Sequence, residues 1–181
     1  QLARPHRGHV FSQLIKKVAI FSSTMMFRRE TLDYLGSAFD DRYARAQDYD
    51  LCLRVAHQFP IDYVDEPLTK WRMNGLAEKP WKKSLVSREV EVIMVMERLL
   101  DSHSGIKTKY RKELQVFNKG VDYGLAVNAW GLGEPKEARS YLSRHLTDKK
   151  FAFVYVCTFL MSSDLFYKIR TARRNRGTRA Q

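Results

Sequence analysis

The sequence predicts an α/β segment over residues 1–80, a few short strands mixed with helices, followed by a mainly α-helical region over 81–181. Three observations carry that expectation. Val18 to Phe27, "VAIFSSTMMF", is a nearly continuous apolar run with β-branched and aromatic residues, the pattern of a buried strand. Leu51, Cys52, Val55, Ala56 and Phe59 recur at three- and four-residue spacing, the period of a helix, and Pro60 stops it. Beyond Pro80 the short runs give way to long helical patterns that continue to the end.

Gln1 to His9 is polar and basic and predicts loose chain. Within the Val18–Phe27 run, Ser22, Ser23 and Thr24 need hydrogen-bond partners, either the local backbone at a bend or the lining of a site. "RRETLDYLG" predicts a short helix with Leu32 and Leu35 on one face and Gly36 as its C-terminal cap. The polar loop "SAFDDRYARA" leads into the helix that Pro60 ends. "IDYVDEP" and "LTKWRMNG" predict short strands, with Pro67 between them and a turn at Asn74-Gly75.

In the helical region Val86, Ile93, Met96 and Leu100 form one stripe, "DSHSG" is a break, and Lys107 to Trp130 is a second long helix. "GLGEP" separates it from "KEARSYLSRHL". That helix–Gly–helix unit, with Ala126, Gly133, Ala138, Leu142 and Leu146, resembles half of a tetratricopeptide hairpin, and small residues at a close helix crossing explain it equally well. Phe151 to Tyr167 predicts an apolar helix. After Asp164 come six Lys/Arg and no acid.

The formal net charge of +12 suits an anionic partner: nucleic acid, a phospholipid surface or a phosphorylated substrate. The two cysteines, Cys52 and Cys157, sit far apart in apolar segments and fit reduced core residues of a cytosolic chain. His6 and His9 have no further ligands clustered nearby, so no metal site is assigned. No signal peptide is visible. The longest apolar run, Phe151 to Met161, has eleven residues, against the roughly 20 a spanning helix needs. The chain begins with Gln1, which suits a fragment or a processed product.

Asp48 and Asp50 stand at the mouth of the helix that Pro60 ends. On a wheel of about 100° per residue, Leu51, Cys52, Val55 and Phe59 share the side of Asp48, while Asp50 lies opposite with Arg54 and His57. Asp50, four residues before Arg54, is expected in a surface ion pair. Asp48 faces inward, either as a first-turn acid satisfying orphan N–H groups and suiting the helix dipole or as a pocket carboxylate able to act as a base.

Taken together, "SSTMMFRRETLDYLG", "FDDRYARAQDYDLCLRVA" and "YVDEPLTKWRMNG" resemble, in order and spacing, the C-terminal half of the catalytic domain of family 2 glycosyltransferases, the GT-A fold. The resemblance covers Val18 to Gly75. It implies transfer of a sugar, with inversion, from a nucleotide-sugar donor to a glycan or lipid-linked acceptor, as in cell-envelope polysaccharide synthesis. It places Asp48 on the family's catalytic aspartate. Ser22, Ser23, Gln47 and Arg72 fall in its substrate-binding segments, Arg72 suited to a phosphate. It also implies a divalent cation, Mg²⁺ or Mn²⁺, whose main ligands lie in an upstream half that this chain does not contain. No glycine-rich strand–turn–helix and no Asp-x-Asp precede the Ser-rich run; "DYD" at Asp48–Asp50 has the spelling but the wrong position. The chain is therefore expected to be the C-terminal portion of a longer enzyme, inactive alone, cytoplasmic or peripheral on the inner membrane face.

Two departures stand out. Gln47 occupies a place that is usually Glu, and Met73-Asn74 follow Trp71-Arg72 where the family often has His. They favour a degenerate, non-catalytic homologue as one alternative. Another is a basic helical module that docks on nucleic acid or an acidic partner, with Trp71, Trp81 and Trp130 able to stack bases. Nucleic acid is disfavoured by the absence of any helix-turn-helix, RNP-like or zinc-finger pattern. The basic C-terminal segment, by contrast, suits an anionic membrane surface.

Overall fold

The computed structural model describes residues 7–17, 22–70, 80–166 and 168–169, with side chains from Arg88 onward in the helix that begins at Pro80. Its elements are helical: α1 Phe11–Lys16, a 3₁₀ turn at Ser22–Thr24, α2 Arg29–Leu35, α3 Gln47–Gln58, α4 Pro80–Ser102, α5 Ser104–Lys109, α6 Arg111–Gly131, α7 Pro135–Ser143 and α8 Lys149–Leu160. The α/β expectation is overturned. Among the described residues there is no strand, only one antiparallel bridge between Gly8 and Ile61, closed by N–H···O bonds of 2.7 and 2.8 Å.

Each expected strand fails for a physical reason. In the Val18–Phe27 run, Ser22–Thr24 wind into a 3₁₀ turn with all three residues exposed, and Met25 N–H donates to the Ser22 carbonyl at 3.3 Å. Residues 18–21 lie outside the described residues. "IDYVDEP" mixes acids with a proline that cannot donate to a ladder. Beyond the bridge at Ile61 the chain runs without regular secondary structure, largely exposed, to Lys70, with a tight turn closed by Leu68 N–H on the Glu66 carbonyl at 2.9 Å. The remainder of "LTKWRMNG", with the Asn74-Gly75 turn, lies outside the described residues.

The helix boundaries follow local chemistry. Gly36 closes α2 in the left-handed region at φ 70°, where glycine alone carries no side-chain penalty. Phe59 leaves α3 extended at ψ 149°, as the residue before a proline must. "DSHSG" breaks the chain at His103. The long helix expected over Lys107–Trp130 is divided at Tyr110. Gly133, at φ 90°, reverses the chain, and Pro135 opens α7, where a missing N–H costs nothing.

Two compact units result: Gln1–Glu78 with Ser87–Gly120, and Lys79–Val86 with Val121–Gln181. In the first, α1 and α2 pack on α3. Its core includes Phe11, Leu14, Ile15, Tyr49, Leu51, Leu53 and Val55, with Val92, Val95, Met96 and Leu99 of α4. The α4 stripe is thus rotated from the expected Val86–Ile93–Met96–Leu100 line: Ile93 and Leu100 are only half-buried, and the side chain of Val86 lies outside the described residues. Helix α1 was not anticipated, although Val10, Phe11, Leu14 and Ile15 carry a helical period and are all buried.

In the second unit, α7 packs on α8. Ala126, Ala129, Trp130, Ala138, Leu142, Phe151, Val154, Cys157 and Phe166 form one cluster. Ala126, Ala138 and Leu142 of the expected hairpin set are buried in it, while Leu146 stays exposed. The apolar helix expected over Phe151–Tyr167 ends at Leu160, with Met161 extended. No helix among the described residues is long and apolar enough to cross a membrane.

Candidate functional site

Helix α3 is the centre of the first unit. Its burial extends nearly all round: Tyr49, Asp50, Leu51, Cys52, Leu53, Val55 and Ala56 are all buried. This corrects the wheel. Asp50 is not a surface acid; it is 5% exposed. Its Oδ2 lies 2.8 Å from an Arg54 guanidinium nitrogen, and Arg54 also donates to the carbonyls of Ser37 and Ala38 at 2.8 and 2.9 Å. The pairing partner was anticipated; the loop that covers it comes from residues far back in sequence, which a single-helix wheel cannot include. Asp50–Arg54 therefore ties α3 to the loop after α2.

Asp48, in the first turn, is half-buried. Its Oδ1 accepts the Tyr49 N–H at 2.8 Å, and no ion pair engages it among the described residues. It is not the N-cap, which is Ala46 with no side chain to offer. With its Tyr49 bond Asp48 takes the first of its two expected roles, a first-turn acid satisfying an orphan N–H of α3, and Glu91 of α4 adds to it from outside the helix. Glu91 Oε2 accepts the N–H groups of Arg45 and Ala46 at 2.6 and 2.9 Å, filling a role that first-turn side chains usually take.

Seven residues along α4, Arg98 pairs with Asp40. Residues seven apart share a helix face, separated by about 10.5 Å of rise. One face of α4 thus grips both ends of the loop from Asp40 to Ala46. Asp40 is further held by Arg42, whose Nε and a terminal nitrogen donate to its two oxygens at 2.9 and 2.7 Å. The Arg42 hydrogen bonds, with Arg98 beside them, hold the Asp40 carboxyl well below the usual carboxylate range. A surface cleft of about 600 Å³ opens here, lined by Phe39, Asp40, Asp41, Arg42, Arg54 and Arg98 among others. Asp48 is not among its lining residues.

Of the other residues singled out in sequence, Ser22 and Ser23 are exposed on the 3₁₀ turn and Gln47 is exposed as the first residue of α3. No hydrogen bond joins these three to Asp48 among the described residues. Arg72 lies outside the described residues. Sequence reasoning missed Glu91, Arg98, Arg42 and Asp40. Only the Asp40–Arg42 turn had a local signal, an Asx-type bond in which Arg42 N–H donates to Asp40 Oδ1 at 3.1 Å.

Three further groups bear on chemistry. Burial, with the nearby Asp48 carboxylate, pushes the Cys52 thiol up to about 12, so it stays a protonated core residue. Burial, then His103 and Lys109, lower the His57 pKa; its ring meets those of His103 and Phe11 at centroid distances of 4.5 and 4.9 Å. The Tyr49 hydroxyl is buried with no hydrogen-bond partner among the described residues. Among the described residues no group of three or more His, Cys, Asp or Glu is placed to hold a metal ion.

No family model, no curated protein and no solved structure matches this chain.

Proposed function

We propose that this chain is the acceptor-side part of an inverting glycosyltransferase resembling family 2, with Asp48 as general base. In that step the acceptor hydroxyl oxygen bonds to the anomeric carbon of the donor sugar. The bond from that carbon to the nucleoside diphosphate breaks, the diphosphate leaves with the electron pair, and the hydroxyl proton passes to the Asp48 carboxylate. A positioned base contributes about 10²–10⁴-fold to such a rate. Exposed Gln47, Ser22 and Ser23 can hydrogen-bond sugar hydroxyls, and Arg72 can neutralise phosphate. The donor-binding half belongs to sequence outside this chain.

One observation carries the choice of Asp48. Among the described residues it is a half-buried carboxylate with no ion-pair partner, while Asp50, two residues on, is neutralised by Arg54 and Asp40 by Arg42 and Arg98. A base needs a carboxylate that is ionised and not already committed to a structural ion pair.

The test uses the longer polypeptide that joins this segment to its donor-binding half. It is incubated with a panel of uridine, guanosine and thymidine diphosphate sugars, Mn²⁺ or Mg²⁺, and glycan or lipid-linked acceptors. Release of nucleoside diphosphate and a product of inverted anomeric configuration by proton NMR are expected. If no donor turns over, and the chain instead binds random DNA with a steep salt dependence, the basic-module alternative favoured by the +12 charge takes its place.

A further inference from the structure

Helix α8 buries one side and leaves the other open. Phe151, Val154, Cys157 and Thr158 face the second unit's core. Phe153, Val156, Phe159 and Leu160 are 60%, 52%, 62% and 74% exposed. At roughly 100° per residue those four fall within about 120° of arc, a continuous stripe rather than scattered positions. Leu165 and Ile169, just beyond the helix, are exposed as well. Exposed apolar side chains are ordinary one at a time; six large ones along one short segment are not.

The surroundings of the stripe say what covers it. Lys149 falls on the same arc at its N-terminal end and is exposed, as is Lys168 beyond its C-terminal end. The Arg139 guanidinium lies over the Phe159 ring, 4.2 Å from its centroid. The flanking acids are Asp148, whose carboxylate accepts the Lys150 N–H at the helix start, and Asp164. After Asp164 the sequence carries six Lys/Arg and no acid. An apolar helix face bordered by cations is the pattern of a helix lying in the interface of an anionic leaflet: rings and aliphatic groups enter the acyl boundary, and cations meet the head groups. The backbone suffers no loss there because a helix satisfies its own N–H and C=O groups.

We propose that the Phe153–Val156–Phe159–Leu160 face of α8 docks this protein on an anionic lipid bilayer. The proposal is independent of the glycosyltransferase reading, and its failure leaves the role of Asp48 untouched.

Sedimentation with vesicles of phosphatidylcholine alone, and of phosphatidylcholine with phosphatidylserine, reads this out. The intact chain is expected to bind the anionic vesicles, to bind the neutral ones weakly, and to be released by high salt. A Phe153→Ser/Phe159→Ser double variant, altered only at exposed positions, should bind the anionic vesicles about tenfold or more weakly. Circular dichroism checks its fold. A Val156→Trp variant gives an independent readout: bromine-labelled lipids should quench the added indole emission on anionic vesicles. Three results would overturn the proposal: no binding of the intact chain to anionic vesicles, equal binding by the double variant, or no quenching at position 156. A dimer in light scattering that the double variant converts to monomer would assign the stripe to a second copy of this chain instead.

Discussion

Asp48 and Asp50 share a helix turn, yet their environments separate them. Asp50 is buried and committed to Arg54, so Asp50→Asn should lower stability by about 2–3 kcal/mol, measured by urea denaturation, because it leaves a guanidinium with its carboxylate gone. Tyr49 presents the opposite case. Its hydroxyl is buried without a partner among the described residues, and burial raises its pKa. Tyr49→Phe should leave stability unchanged or raise it by up to about 1 kcal/mol, since no hydrogen bond is lost. The residues around Asp48 were legible in part. The helical period revealed the buried Leu51, Cys52 and Val55, and the i,i+4 rule found the Asp50–Arg54 pair. Its burial was not legible, because the covering carbonyls of Ser37 and Ala38 come from a loop whose path no local pattern encodes.

The ends of α2 and α3 were readable because their stops, Gly36 and Pro60, act through the backbone alone. The strands were not, since a strand exists only with a partner to complete its ladder, and an apolar run does not state whether one is present. The start of α3 was equally hidden: its capping carboxylate, Glu91, lies 45 residues on from Ala46. Glu91→Ala should therefore destabilise the first unit by about 1–2 kcal/mol, as the loss of a cap does, seen as a lower urea midpoint at unchanged slope. The packing of α1, α3 and the α4–α5 link around His57 adds a pH dependence. Burial holds the folded pKa of His57 below the ordinary histidine value of about 6.5, so the unfolded chain binds more protons. The stabilisation is thus present above pH 6.5 and is lost as pH falls through the depressed folded value. Melting temperature should rise between about pH 5 and pH 7, and the rise should shrink in His57→Gln.

For the molecule as a whole, the proposed chemistry would divide between this chain and a donor-binding half. Calorimetric titration of this chain with uridine or guanosine diphosphate and Mn²⁺ should accordingly show no tight site; micromolar binding would move the donor site into this chain. The resemblance that led to Asp48 was carried by the order of short motifs and not by any one of them, and it survives the correction of fold class only as a proposal about chemistry. The decisive measurement is turnover of Asp48→Asn and Asp50→Asn in the longer polypeptide, with the donor and acceptor that it uses and with folding verified for each. A base at position 48 requires Asp48→Asn to lose about 10²–10⁴-fold in kcat, while Asp50→Asn, once folded, keeps its turnover. Near-parental kcat for a folded Asp48→Asn would show that the proton goes elsewhere.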